Sequence, residues 1–147
     1  MYPARFPAAI RRNPESSVPE SPSPRRILLV DCDAFFVQVA CLEDPEGAGK
    51  AKYLIVGGTP TGRGVVTSAS YSARAFGVRA AMPTAHALRL CPEATIVGVP
   101  RGVISERSRD VRRALEDLSP IVQAASVDEF YLDLSGTERL FTGETLE

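Results

Sequence analysis

The sequence predicts a mixed α+β (α/β) fold, in which short strands and helices form layers around one core. Two observations predict it. Apolar, strand-favouring runs at residues 27–32 and 130–134 each lie beside acids. Helical spacing of apolar residues is found between these runs, most clearly at residues 105–118. The chain has 147 residues, of which 44% are hydrophobic, so it is long enough for one core-forming domain, or one domain and a tail.

The composition excludes several classes of protein. The formal net charge is −1, so the chain is not basic throughout, although it leaves room for local basic patches. No apolar run approaches the roughly 20 residues that cross a bilayer, and the N-terminus lacks the apolar stretch of a secretory signal. Cys32, Cys41 and Cys91 have no metal-binding spacing, which favours reduced thiols in a cytoplasmic protein.

The N-terminal part of the chain changes character near residue 25. Residues 1–24 are rich in Pro and Ser and have no hydrophobic periodicity, so we predict a disordered tail there. A buried strand at residues 27–32 follows. Residues 34–42 are apolar nearly all round, which is typical of a buried helix.

The rest of the chain alternates strands and helices. Gly77 is expected to close a short helix in a left-handed conformation. Residues 121–125 and 130–134 are predicted to form a hairpin whose bend lies near Asp128 and Glu129. The other predicted strands are residues 53–56, 65–69 and 94–99, and the other predicted helices are residues 70–76, 83–91 and 105–118.

Acids are the main functional signal. Asp128 and Glu129 lie in an apolar run that contains no Lys or Arg, where carboxylates are costly unless a cation neutralises them. The first strand delivers Asp31 in the same way, so the two strands suggest one shared divalent-cation site. Because neighbouring side chains of a strand point to opposite faces, the three acids can converge only if the backbone bends near Asp128.

The chemistry of this acid set suits magnesium. Three carboxylates, with the backbone carbonyl of Cys32, form a set of hard oxygen ligands. Two Mg²⁺ ions held close together are the apparatus of in-line phosphoryl transfer. The alternative is that the acids cap turns or pair with arginines. That is the more common role of a lone Asp-Glu pair, but it explains two acid-bearing strands less well.

Five short blocks of sequence occur in a distinctive order. They are residues 31–36 (DCDAFF), 63–66 (RGVV), 69–79 (ASYSARAFGVR), 81–84 (AMPT) and 126–133 (SVDEFYLD). In this order and approximate spacing they resemble the translesion Y-family DNA polymerases of the DNA polymerase IV, UmuC/DinB-like kind. The resemblance extends from about residue 25 to the C-terminus.

The resemblance implies a catalytic centre. Asp31, Asp128 and Glu129 match the catalytic, metal-binding carboxylates of the family, and the Cys32 carbonyl matches the remaining ligand of a site for two Mg²⁺ ions. Phe36 matches the steric gate, an aromatic ring that leaves no room for a ribose 2′-hydroxyl. For Phe36, a core aromatic on a buried helix is the alternative interpretation.

The resemblance also implies a nucleotide pocket. Tyr71 and Arg74 match residues that hydrogen-bond the triphosphate, a role that suits Arg because its fork engages phosphate oxygens. Ser68 is expected near the phosphates. Gly64 and Val65 match the small residues that cover the templating base, where little bulk admits a damaged base. As alternatives, Tyr71 could pack in the core and Arg74 could be an exposed helix charge.

The same resemblance implies a domain organisation. Residues 1–24 are the tail, and residues 25–147 are an N-terminal fragment of the UmuC-type catalytic domain. Its palm, an incomplete ferredoxin-like sheet with helices on one face, comprises residues 25–35 and 100–147, and its fingers comprise about residues 36–99. The thumb and little finger are not among these residues, so we expect an open sheet edge and exposed apolar surface.

The implied function is template-directed, Mg²⁺-dependent transfer of a nucleotide from a dNTP to a primer 3′-hydroxyl during damage bypass. The implied partners are primer–template DNA and dNTP, and a sliding clamp through a C-terminal part outside these residues. We expect the 147 residues alone to bind metal and nucleotide weakly and to polymerise little or nothing. One alternative is a non-catalytic DNA-repair accessory module, which would be expected to have lost the acids. Another is a nucleotidyl cyclase, whose pattern lacks the Phe36 gate.

Overall fold

In the computed structural model, which describes residues 25–136, the chain forms two three-stranded sheets and four α-helices. The mixed α+β fold is therefore confirmed. The predicted tail at residues 1–24 lies outside the described residues. In chain order the elements are β1 (Ile27–Asp31), α1 (Phe35–Glu43), a 3₁₀ helix (Ala48–Lys50), β2 (Leu54–Gly57), β3 (Val66–Ala69), α2 (Tyr71–Arg74), α3 (Thr84–Leu90), β4 (Thr95–Val97), α4 (Arg101–Glu116), β5 (Val122–Ala124) and β6 (Glu129–Asp133).

The first sheet joins the two acid-bearing segments. Its strand order is β1-β6-β5, and both pairings are antiparallel. Along β6, Phe130 and Leu132 are buried, and Tyr131 between them is exposed. This alternation is what a sheet with one packed face and one open face requires. The first sheet therefore has an apolar inner face and an open outer face.

The second sheet lies within the middle of the chain. Its order is β3-β2-β4, with β3 antiparallel and β4 parallel to the central strand β2. All four residues of β2 are buried, as expected of a central strand covered on both faces. Ile55 of β2 packs with Val66 and with Ala73 in one core cluster. Helix α2 follows directly after β3 and packs against this sheet.

Helix α1 packs between the second sheet and helix α4. On one side Val37 and Ala40 pack in a cluster with Leu54 of β2. On the other side Phe35 and Val39 pack with Ile104 of α4. A helix that packs on two sides must be apolar around most of its circumference, which accounts for the apolar sequence of residues 34–42.

Most element predictions are confirmed, although several boundaries differ from the predicted ones. Gly77 has a φ of 89°, as predicted for the residue that closes α2. Helix α4 begins at Arg101 rather than near residue 105, because Pro100 can precede a first helical turn and polar residues obscure its apolar face. The hairpin bend spans residues 125–128, so Glu129 is the first residue of β6 and does not belong to the bend.

The prediction that β1 is a buried strand is wrong. Ile27, Leu28 and Leu29 are 52%, 48% and 50% exposed. Among the described residues β1 is an edge strand with no neighbour on one side, so apolar residues on both of its faces reach the surface. This open edge agrees with the expectation of an incomplete sheet.

Within residues 25–136, no helix has the length and hydrophobicity needed to span a membrane.

The inner face of the first sheet predicts a contrast between two adjacent aromatic residues. Phe130 is 1% exposed and Tyr131 is 43% exposed. We expect Phe130→Ala to lower the free energy of unfolding by about 3–5 kcal/mol, because it leaves a cavity in a packed layer. Tyr131→Ala is the matched control and should cost much less. Urea denaturation of both variants measures the difference, and equal losses would contradict the assigned orientation of β6.

Candidate active site

The pairing of β1 with β6 brings the predicted acids together along the backbone. Asp31 lies directly opposite Glu129 in the antiparallel register. Directly opposed residues have side chains on the same face of the sheet, with Cα atoms about 4.5–5.5 Å apart. The backbone N–H of Cys32 donates a hydrogen bond to the carbonyl of Asp128 at 2.9 Å. Residues almost 100 positions apart thus meet at one end of the first sheet.

A bend held by Ser126 places Asp128 outside strand geometry. The Ser126 hydroxyl donates to Oδ1 of Asp128 at 2.5 Å and accepts the backbone N–H groups of Asp128 and Glu129 at 3.2 and 3.1 Å. The N–H of Ala125 donates to the carbonyl of Glu129 at 2.9 Å. Such hydroxyl-to-backbone bonds replace the strand ladder locally. The bend predicted from the alternation argument is therefore present.

The pKa of the Cys32 thiol reflects its burial and how close Asp128 and Asp31 lie to it. Burial, followed by the negative charges of Asp128 and Asp31, raises the pKa of the Cys32 thiol above its ordinary value. Cys32 packs against the core cluster that Phe35 and Val39 of α1 form with Ile104 of α4. Its backbone carbonyl accepts a hydrogen bond from the N–H of Phe35 at 3.1 Å, which leaves one lone pair of that oxygen available.

The acids suit a divalent cation by type and by strand position. Carboxylate and carbonyl oxygens are the ligands that Mg²⁺ prefers. Asp31 is exposed, and Asp128 and Glu129 are half-buried. Within residues 25–136, however, no three His, Cys, Asp or Glu side chains are grouped closely enough to hold a metal ion as they stand. The backbone brings the three acids to one end of the first sheet, and the convergence of their side chains on a metal ion stays a prediction.

A cavity of about 610 Å³ contains three of the predicted nucleotide-binding residues. Ser68, Tyr71 and Arg74 line it, together with Thr67 and Arg79. Two arginines and hydroxyl groups in one cavity form a donor-rich surface suited to an anion. The alternative that Tyr71 packs in the core is wrong, because its side chain is 64% exposed.

Helix α2 fixes these donors against the second sheet. Ser70 precedes the helix, and its hydroxyl accepts the N–H groups of Ala73 at 3.3 Å and of Leu54 in β2 at 3.0 Å. The Nε of Arg74 donates to the carbonyl of Ala69 at 2.8 Å, and its guanidinium lies 5.0 Å from the centre of the Tyr71 ring. Arg74 is thus held through its Nε and by the Tyr71 ring, so its terminal nitrogens can face other partners.

Asp33 joins the acid-bearing strand to the cavity. The Tyr71 hydroxyl donates a hydrogen bond to Oδ2 of Asp33. The Nη1 of Arg74 lies 3.6 Å from Oδ1 of the same carboxylate. Asp33 was not among the site residues predicted from the sequence, although it lies two residues after Asp31 in the first of the five sequence blocks. That spacing is the signal that could have singled it out.

Phe36 lies on α1, apart from the lining of the cavity. Its ring is half-buried and meets the Phe35 ring edge to face, with centroids 5.9 Å apart and planes at 78°. It packs beside both core clusters that α1 contacts. The predicted role of Phe36 as a steric gate stays a prediction.

Gly64 and Val65 lie where β3 follows a tight loop. The side chain of Val65 is 49% exposed, and its carbonyl accepts the N–H of Gly58 at 3.0 Å. A Cβ at Gly64 would lie 2.5 Å from the carbonyl oxygen of Thr59 and 2.6 Å from the carbonyl carbon of Gly58. The close approach of two backbone segments therefore requires glycine at position 64.

Comparison with known proteins places these features in a family. The model of the impB/mucB/samB family matches residues 30–146. The chain belongs to this family. The match includes both segments that carry the acids and the whole of the donor-rich cavity.

Similar proteins support a Y-family assignment. DNA polymerase IV of Pseudomonas syringae pv. tomato is 41% identical over 119 residues, which is 81% of this chain and 33% of that protein. DNA polymerase IV of Pseudomonas fluorescens is 42% identical over 111 residues, or 76% of this chain and 31% of that protein. The chain spans about a third of the length of the curated relatives it matches.

Solved structures agree with the sequence relatives. DinB from Sulfolobus solfataricus aligns with a TM-score of 0.68 at 32% identity, over 77% of this chain and 33% of that one. Dbh DNA polymerase in a post-insertion binary complex aligns with a TM-score of 0.69 at 32% identity and the same coverage. The resemblance to Y-family, DinB-like polymerases is therefore confirmed. The predicted palm and fingers boundaries stay predictions.

The crowding at Gly64 predicts that alanine substitutions at two glycines of one loop differ in their effect on stability. Gly64→Ala forces the new methyl group against backbone atoms, and we expect a loss of about 1–3 kcal/mol in the free energy of unfolding. At Gly62 a Cβ would meet only the Thr59 hydroxyl, at 3.5 Å, so Gly62→Ala should change stability by less than about 0.5 kcal/mol. Thermal unfolding compares them, and a Gly64→Ala protein as stable as the Gly62→Ala protein would contradict the loop packing.

Proposed function

We propose that this chain carries the catalytic centre of a translesion DNA polymerase. The proposed reaction is the divalent-metal-dependent transfer of a nucleotide from a dNTP to a primer 3′-hydroxyl, directed by a template that carries damage. The observation that carries it is the β1–β6 pairing, which sets Asp31 opposite Glu129 and bonds Cys32 to Asp128. Membership of the family and the similarity to DNA polymerase IV proteins support the same function.

In this proposal the acids hold two Mg²⁺ ions. Asp31, Asp128, Glu129 and the carbonyl of Cys32 are the proposed ligands. When bound, such ions activate an attacking hydroxyl and neutralise the charge that develops on the phosphates. The protein's own contribution is the sheet register, which fixes the backbone positions of Asp31 and Glu129. The Ser126 bend holds the carboxylate of Asp128 through a hydrogen bond to its Oδ1.

The cavity is the proposed site of the incoming nucleotide. Tyr71 and Arg74 supply the hydrogen-bond donors for the triphosphate, and Ser68 supports them from β3. Three donors with fixed positions orient the nucleotide before reaction, which lowers the entropic cost of the chemical step. Phe36 is the proposed gate against ribonucleotides. Gly64 and Val65 are proposed to face the templating base, where a half-exposed valine and a glycine present little bulk.

The partners follow from the proposed reaction. Primer–template DNA and dNTP are the proposed substrates, and a solved Dbh polymerase relative is described as an insertion ternary complex. We propose a cytoplasmic location, and contact with a sliding clamp through a C-terminal region outside these 147 residues. About two thirds of each relative's length lies outside the region that this chain matches. We therefore expect the 147 residues alone to bind DNA weakly.

Metal binding by the chain tests the proposed centre. Mn²⁺ serves as the probe because free and bound Mn²⁺ differ in their electron paramagnetic resonance signal. We expect Asp31→Asn and Glu129→Gln each to weaken Mn²⁺ binding by about tenfold or more, since each removes a charged ligand. Asp117→Asn, an exposed acid just after α4, is the matched control. Unchanged Mn²⁺ affinity in the first two variants would remove the metal assignment.

Nucleotide selection tests the proposed gate. Phe36→Ala should narrow the difference in affinity between dATP and ATP, because a methyl group leaves room for the 2′-hydroxyl. Phe36→Leu keeps much of the bulk and should retain more of the difference. Fluorescence titration with both nucleotides in the presence of Mg²⁺ measures the ratio. If Phe36→Ala and wild type discriminate equally, Phe36 acts only in packing.

A further inference from the structure

A carboxylate occupies the donors of the proposed phosphate site. Asp33 accepts a hydrogen bond from the Tyr71 hydroxyl through Oδ2, and its Oδ1 lies 3.6 Å from Nη1 of Arg74. One acidic group therefore engages both of the side chains assigned to the triphosphate. The contact joins the end of the first sheet to a helix 38 positions further along the chain.

A carboxylate and a phosphate make the same demands on these donors. Both present negatively charged oxygens in the geometry that a guanidinium group prefers. A tyrosine hydroxyl has a single proton, so Tyr71 can donate to Asp33 or to a phosphate oxygen, but not to both at once. Asp33 and a phosphate group therefore compete for the Tyr71 hydroxyl, and both can bind the Arg74 guanidinium.

The surrounding contacts allow a phosphate group to replace Asp33 at Tyr71 and Arg74 at a small cost in free energy. Arg74 is held from behind by the carbonyl of Ala69 and by the Tyr71 ring, so it keeps its position whichever anion it meets. The side chains of Arg74 and Asp33 are 34% and 58% exposed. An ion pair that is this accessible to water contributes little stability, so the carboxylate can be displaced without unfolding anything.

We propose that Asp33 is a built-in placeholder for phosphate. It neutralises Arg74 and occupies Tyr71 when no nucleotide is bound, and it is displaced when a triphosphate enters the cavity. This inference rests on the proposed function, since it takes the cavity to be the triphosphate site. Its consequence is that Asp33 lowers the affinity for nucleotide and discourages other anions from binding weakly to the same donors.

Binding of inorganic tripolyphosphate to the chain tests the placeholder, because this probe lacks base and sugar. We expect Asp33→Asn to bind it about two- to fivefold more tightly than wild type, the size of a lost surface ion pair. Asp33→Ala, which also removes the acceptor for Tyr71, should bind at least as tightly as Asp33→Asn. Asp117→Asn changes the net charge equally and should bind as wild type does. Isothermal titration calorimetry without added metal gives all four affinities.

Two further variants separate this inference from the proposed function. Tyr71→Phe and Arg74→Ala should weaken tripolyphosphate binding. If they do, and the two Asp33 variants bind no more tightly than wild type, the placeholder role is overturned while the phosphate site stands. If neither Tyr71→Phe nor Arg74→Ala weakens binding, the cavity is not a phosphate site, and both proposals fail. If Asp33→Asn and Asp117→Asn increase the affinity for tripolyphosphate equally, the change in net charge explains the effect, and the placeholder role of Asp33 is overturned.

Discussion

The antiparallel pairing of β1 with β6 is the constraint on which the rest of the site depends. It joins residues 27–31 to residues 129–133, and it alone places Asp31 opposite Glu129. A shift of one residue in this register would set Asp31 opposite an apolar residue or a bend residue and would turn every side chain of one strand to the other face. Because Phe130 and Leu132 must stay on the packed face, the hydrophobic core fixes the register. Packing on one side of the sheet thus determines which acids face the other side.

The second organising feature is the way one short segment connects two sheets. Residues 31–36 end β1, turn, and enter α1, which packs against β2 on one side and α4 on the other. Asp33 lies in this turn and reaches the donors on α2. Only a few residues of backbone therefore separate Asp31 from the side chain that contacts the donor-rich cavity.

The sequence could predict the elements and the candidate residues, but not their contacts. Helix α1 and strand β6 follow from local patterns of apolar residues, and the need for a bend before Glu129 follows from strand alternation. The exposure of Leu28 could not be predicted, because an edge strand and a central strand can have the same composition. The contact of Asp33 with Tyr71 depends on a loop conformation and a side-chain rotation. The stabilisation of the bend by Ser126 depends on hydrogen bonds that no periodicity reveals.

The most direct test of the central claim is a crystal structure of the chain with Mn²⁺ and a dNTP, with data collected at the manganese absorption edge. The proposed centre predicts anomalous density between the carboxylates of Asp31 and Asp128, with Glu129 on the same face, and the triphosphate in contact with Arg74. Carboxylates that stay turned away from one another, with manganese bound elsewhere or not at all, would contradict a catalytic metal centre at the end of β1.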